Sequence, residues 1–179
     1  MTVFFLDCEA SSLSWNSYPI EIAWGSCETE IQRYLISPAS VVAWQDWSYR
    51  SQRIHGISKN QLLRQGVSPE AVCDAIEAAL IGRSTYTDNP DWDAMWLGKL
   101  FCACARELPP IDIQNIDSLL IELLCPDPKG RLEGLKQVLR LKAKARGLVN
   151  QRHRAAADVE FLLTAYELAV QQSRDQNDP

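Results

Sequence analysis

Asp7 and Glu9 stand two residues apart behind the apolar run Phe4-Phe5-Leu6, and Ser11-Ser12-Leu13 follows at once. On a β-strand alternate side chains share a face, so the two carboxylates would project together, ~6–7 Å apart along the chain. Like charges held this way repel. A divalent cation with a preference for oxygen ligands would favour the placement; a strand that runs out into a solvated acidic turn would also account for it.

Two aspartates further along bear on the choice. In the helix expected after Asn89-Pro90, residues Trp96, Leu97, Leu100, Phe101 and Cys104 form an apolar stripe, and Asp93 falls near its middle. A buried carboxylate without a partner costs several kcal/mol, roughly, unless it is paired or bound to metal. Asp158 repeats the pattern at the edge of the face formed by Ala155, Val159, Leu162, Leu163, Tyr166 and Ala169. Four carboxylates converging on Mg²⁺ or Mn²⁺ explain all of these positions together. His153 lies five residues before Asp158, about 140° away on a continuous helix. It therefore reads as part of the loop or frayed turn before Ala155, from which it can swing over the site as a general base. The plainer alternative is a solvated histidine in an arginine-rich loop.

The elements that must position these residues are legible in outline. After the first strand, Pro19–Gly25 and Ile31–Ile36 read as hairpin-connected antiparallel strands. Pro38 to Ser51 reads as a tryptophan-containing connection. Ser58 caps a helix over Lys59–Gln65, Ser68-Pro69 opens one through Ile81, and Ser84–Thr87 forms a short strand. Asn89 as N-cap and Pro90 at the first position start a helix running to about Glu107. A strand over Ile111–Ile116 follows, then a helix capped by Asp117 or Ser118, a basic helix over Leu132–Ala145 stopped by Gly147, and a last helix over Ala155–Val170. The order implies a mixed α/β sandwich rather than a doubly wound parallel fold.

The 179 residues suit one domain over residues 1–170 with a polar tail at 171–179. No apolar run reaches membrane-spanning length and the start lacks the features of a signal peptide, so a cytoplasmic protein with no membrane partner is expected. Six scattered cysteines read as reduced core thiols rather than a zinc site. The net charge is −5, yet Lys129 to Arg154 holds nine basic residues against the single acid Glu133. Such asymmetry marks a local surface for phosphates; a solvated helix face is the alternative.

These motifs resemble the DEDD superfamily of 3′→5′ exonucleases in its histidine-containing branch, the branch of ribonuclease T, oligoribonuclease, exonuclease X and the proofreading subunit of bacterial replicative polymerase. Asp7-Cys8-Glu9 resembles the first family motif, Asn89-Pro90-Asp91-Trp92-Asp93 the second, and His153-Arg154-Ala155-Ala156-Ala157-Asp158 the third. Ile54-His55-Gly56-Ile57-Ser58 and Asp117-Ser118-Leu119 match two further segments. Ser11-Ser12 replaces a frequent Thr-Gly, and Asp88-Asn89 a frequent His-Asn.

The resemblance implies a ribonuclease H-like fold, a mixed five-stranded sheet flanked by helices. It implies hydrolysis of single-stranded DNA or RNA from a 3′ end, with Asp7, Glu9, Asp93 and Asp158 holding two Mg²⁺ ions, Mn²⁺ as a substitute, and His153 as base. Ser11, Ser12 and Leu13 would then contact the terminal nucleotide, with His55, Asn89 and Trp92 in the groove, and a homodimer is compatible because several relatives are dimers. A non-catalytic nucleic-acid-binding module of the same fold, or a phosphodiesterase for dinucleotides and very short oligonucleotides, are the alternatives.

Overall fold

Strand β1 (Phe4–Ala10) alternates Phe4, Leu6 and Cys8 against Phe5, Asp7 and Glu9, so each face must be covered by different partners. The computed structural model describes residues 2–149 and 153–177 and meets that demand with helices on both sides of one sheet. Strand β2 (Pro19–Ser26) pairs antiparallel with β1 and with β3 (Thr29–Leu35). Strands β4 (Ser84–Thr87) and β5 (Asp112–Asn115) add parallel on the other side of β1. The order is β3-β2-β1-β4-β5, a mixed five-stranded sheet as expected.

Phe4, Leu6, Cys8, Ile20, Ile22 and Trp24 face a core shared with α2 (Lys59–Gln65), α3 (Pro69–Leu80) and α4 (Pro90–Ala103). Phe5, Ala23 and Tyr86 face the second core, built with α5 (Ile116–Leu124), α6 (Arg131–Leu148) and α7 (Ala155–Asn177). Asp7 and Glu9 lie on the same face as Phe5, toward α7. The termini of β1 and β4 point the same way, and the crevice beyond the carboxyl ends of parallel strands is where such sheets bind ligands.

Several boundaries differ from the sequence expectation. A helix α1 (Tyr49–His55) occupies the end of what reads as an irregular connection; Ser48 caps it by accepting from Ser51 N–H, and Gly56 closes it at φ +73°. Seven residues without an apolar period give periodicity nothing to detect. Asn115, not Asp117 or Ser118, caps α5, its Oδ1 accepting from Asp117 N–H at 2.7 Å. Asn89 holds the cap position of α4 without a side-chain cap bond. Helix α4 stops at Ala103, short of Glu107, and α6 passes through Gly147 to Leu148. Helix α7 continues past Val170 to Asn177, where the expectation was a polar tail; Gln172 of that extension donates to Gln137 of α6 at 3.3 Å. All six cysteines are free, but Cys27 and Cys102 are exposed rather than in the core. Among the described residues no helix is long and apolar enough to cross a membrane.

Candidate active site

Asp93, on the first turn of α4, is 3% exposed. Its Oδ1 accepts from Cys8 N–H at 3.1 Å and its Oδ2 from the Thr87 hydroxyl, so the aspartate ties α4 to the ends of both β1 and β4. Even so, burial drives its pKa up to about 7 against the lowering effect of those bonds. Asp7 is pushed well above the carboxylate range, first by burial and then by Asp93, Glu9 and Asp158. Glu9 is raised to about 8 by burial, Asp158 and Glu21, with Arg154 opposing. The four acids thus lie within electrostatic reach of one another at the end of β1, and the repulsion makes Asp7 and Glu9 harder to ionise.

His153 comes from the loop just ahead of α7, as the spacing to Asp158 requires, and is exposed. Its φ of +55° puts it in the left-handed region, uncommon for a residue with a side chain. A nitrogen of His153, a Glu9 oxygen and an Asp158 oxygen all lie within 4.8 Å of one another. Three groups at this spacing can face one cation or one water.

Glu21 is not among the residues singled out by sequence, yet it is central to the geometry. It sits opposite Glu9 in the β1–β2 register and is completely buried. Arg154 donates to both of its oxygens, from Nη2 at 2.6 Å and Nε at 3.0 Å, and Ala155 N–H donates to Oε2 at 3.0 Å. These bonds make Glu21 the anchor that fixes the start of α7, with His153 before it and Asp158 after it. The signal that could have found it is Pro19–Gly25, a buried run interrupted by one acid.

A small cavity of about 210 Å³ opens beside these groups, lined in part by Glu9, Ser12, Leu13, His55, Trp96 and His153. Leu13 is 73% exposed. Ser12 donates to Asp46 and accepts from Ser14 N–H at 3.0 Å. Ser11 is fully buried, its hydroxyl accepting from Tyr18 N–H at 3.1 Å, so it closes the loop after β1 rather than lining the cavity. His55 is buried, and burial lowers its pKa to about 4. Its Nδ1 accepts from Ile57 N–H at 3.0 Å, which leaves the proton on Nε2, and Nε2 has no partner among the described residues. Trp92 is half-buried beside Trp96, and Asn89 is exposed.

The basic segment divides. Lys142 donates to Asp88 and, at 2.8 Å, to Asp117; Arg146 donates to Asp158 at 2.8 Å and lies 3.4 Å from the centre of the Phe161 ring; Arg154 belongs to Glu21. Among the described residues Lys129, Arg131, Arg140 and Lys144 have no ion pair. Arg152 lies outside the described residues.

The donor set fits hard divalent cations. Four carboxylates share one strand end, and burial raises the pKa of Asp7, Glu9 and Asp93, an environment that a divalent cation with oxygen ligands would relieve. Arg146 answers Asp158 alone.

No protein-family model and no curated protein matches the chain. Solved structures do. E. coli Exonuclease I in complex with a dT13 oligonucleotide superposes with a TM-score of 0.69 at 18% identity, covering 99% of this chain and 42% of that one. The zinc-bound form of the E. coli ExoI–ssDNA complex gives 0.65 at 16% identity over 98% of this chain and 41% of that one. Exonuclease I from Methylocaldum szegediense gives 0.62 at 18% identity, with the same coverage of 98% and 41%. The chain therefore spans less than half the length of these neighbours and shares their ribonuclease H-like fold.

Proposed function

We propose that the chain is a divalent-metal-dependent 3′→5′ exonuclease acting on single-stranded nucleic acid. The observation that carries this reading is the cluster of Asp7, Glu9, Asp93 and Asp158 with His153 at one strand end. The shared fold supports it, since one matching structure is Exonuclease I in complex with an oligonucleotide.

In this reading Asp7, Glu9, Asp93 and Asp158 hold two Mg²⁺ ions, with Mn²⁺ as a substitute. When bound, they supply Lewis-acid stabilisation of the negative charge that develops on the phosphate and leaving oxygens. His153 accepts the proton of the attacking water, which its placement beside Glu9 and Asp158 permits. Glu21 holds that histidine's loop in place through Arg154 and Ala155. The Nε2–H of His55, without a partner among the described residues, would donate to an acceptor on the terminal nucleotide, because a buried donor without a partner is costly until a ligand supplies one. Leu13 packs against its base.

The test is digestion of 3′-end-labelled single-stranded DNA and RNA with Mg²⁺ or with EDTA. Wild type is expected to release label only with metal, and Asp93→Asn to release none. Undiminished activity in Asp93→Asn, or activity in EDTA, overturns the reading. The pair of substrates also decides between the two sugars.

A further inference from the structure

Trp15 is the feature of this surface that the proposed reaction leaves unused. It is 82% exposed, an unusual setting for so large an apolar ring, and it is held firmly. Lys99 reaches from α4 to donate to the Trp15 and Ser17 carbonyls, the latter at 2.7 Å. The Trp96 indole N–H donates to the Ser17 hydroxyl at 3.0 Å, while Ser12 and Ser14 both donate to Asp46. A loop tied at both ends to other elements presents a ring that no packing within the protein requires to be outside.

One face of Trp15 stacks on Trp92, with centroids 6.1 Å apart and planes at 27°. Trp92 in turn meets Trp96 at 5.4 Å, and Trp96 lines the small cavity beside Glu9 and His153. Three rings therefore step from that cavity out to solvent. Trp15 also borders a groove of about 710 Å³ lined by Val41, Ala43, Trp44, Cys102 and Ala103 together with the uncharged polar Asn16, Ser17 and Gln45. Its two charged groups, Asp46 and Lys99, already form hydrogen bonds to the loop, with Ser14 and Ser17 respectively. Such a surface offers a planar apolar partner and little to attract a phosphate. It suits the flat face of a nucleobase.

We propose that Trp15 is a stacking platform for one unpaired base of a single-stranded substrate, outside the cavity that takes the terminal nucleotide. The proposal rests on the nuclease reading for its ligand, but not on the hydrolytic step. Continuity from the cavity through Trp96 and Trp92 fixes the occupant as a base of the same strand.

The experiment measures binding of a labelled ten-nucleotide strand in EDTA, and hydrolysis with Mg²⁺, for wild type, Trp15→Phe and Trp15→Ala. Because the ring is exposed, circular dichroism is expected to show both variants folded. Trp15→Ala is expected to bind about ten- to a hundredfold more weakly, with Trp15→Phe between. A series of strands, each with one abasic position counted from the 3′ end, gives the decisive comparison. Wild type loses affinity at one position, and Trp15→Ala is indifferent to the base there. Hydrolysis with equal affinity in Trp15→Ala and wild type overturns the platform and leaves the nuclease reading intact. An equal response of both proteins to every abasic position also overturns the platform. Binding with the expected pattern but no hydrolysis overturns the nuclease reading alone. No binding by wild type overturns both.

Discussion

A buried carboxylate has two ways to be satisfied, and the site uses both. Glu21 takes its countercharge from Arg154 and a further hydrogen bond from the Ala155 N–H at the start of α7. Glu9, its neighbour across the strands, has no such donor set among the described residues and is raised to about 8. Glu21→Gln separates the roles. The amide retains shape but leaves Arg154 without its anion, and breaking a buried pair costs about 3 kcal/mol. Lowered Tm is therefore expected. Because the His153 loop loosens, kcat is expected to fall further than KM rises, and Glu21→Asp should restore part of kcat. A purely structural role would lower Tm while leaving kcat of the folded fraction unchanged. His153→Ala, by contrast, should lose about 10²–10⁴-fold in kcat with Tm preserved, since the side chain is exposed.

Elements differ in how legible they are in the chain. Asp93 stands out because α4 has a clear apolar stripe, and the structure buries that aspartate among the same residues. Ser58 and Ser68-Pro69 announce α2 and α3 through caps whose bonds are present. Only the family resemblance points to His55. Its helix is too short to show a period, and its Nε2–H, unpartnered among the described residues, depends on how Ile57 folds back, which no local pattern encodes. Glu21 is harder still to read, because a partner 133 residues away gives its meaning. The charge pattern leads to the expectation of a surface for phosphates on α6, and the structure divides its basic residues between paired and unpaired positions. Arg140 and Lys144 are free of ion pairs among the described residues, whereas Lys142 neutralises Asp88 and Asp117. Arg140→Ala with Lys144→Ala should weaken strand binding and reduce the slope of log K against log salt by ~0.7 for each phosphate these side chains neutralise. Lys142→Ala should leave that slope unchanged and instead lower stability. Titrations from low to moderate salt distinguish them.

At the scale of the whole molecule, the acid cluster makes stability depend on pH and, in the proposed reading, on cations. Glu9 and Asp93 have folded-state values of about 8 and about 7, above their ordinary 4.5 and 3.8. The folded protein therefore binds more protons than the unfolded chain between those limits. This contribution is complete below the ordinary values and is lost as pH rises through 7 to 8. In EDTA, urea midpoints should be lower at pH 8 than at pH 5. Mg²⁺ should narrow the difference, and its binding near neutral pH should release protons measurable by calorimetry in buffers of different ionisation enthalpy.

In concentrated solution the borders of the sheet matter as much as its centre. The outermost strand on one side, β3, leaves Thr29, Glu30, Gln32 and Arg33 exposed, and on the other side β5 is only four residues long. Unpaired backbone along a strand is a template for another chain, and charge or brevity blunts it. Glu30→Ile with Gln32→Val should convert β3 into an adhesive border, seen as turbidity on concentration and as early-eluting species in size-exclusion chromatography. The polar side chains of β3 thus serve solubility, keeping one molecule from recruiting the next.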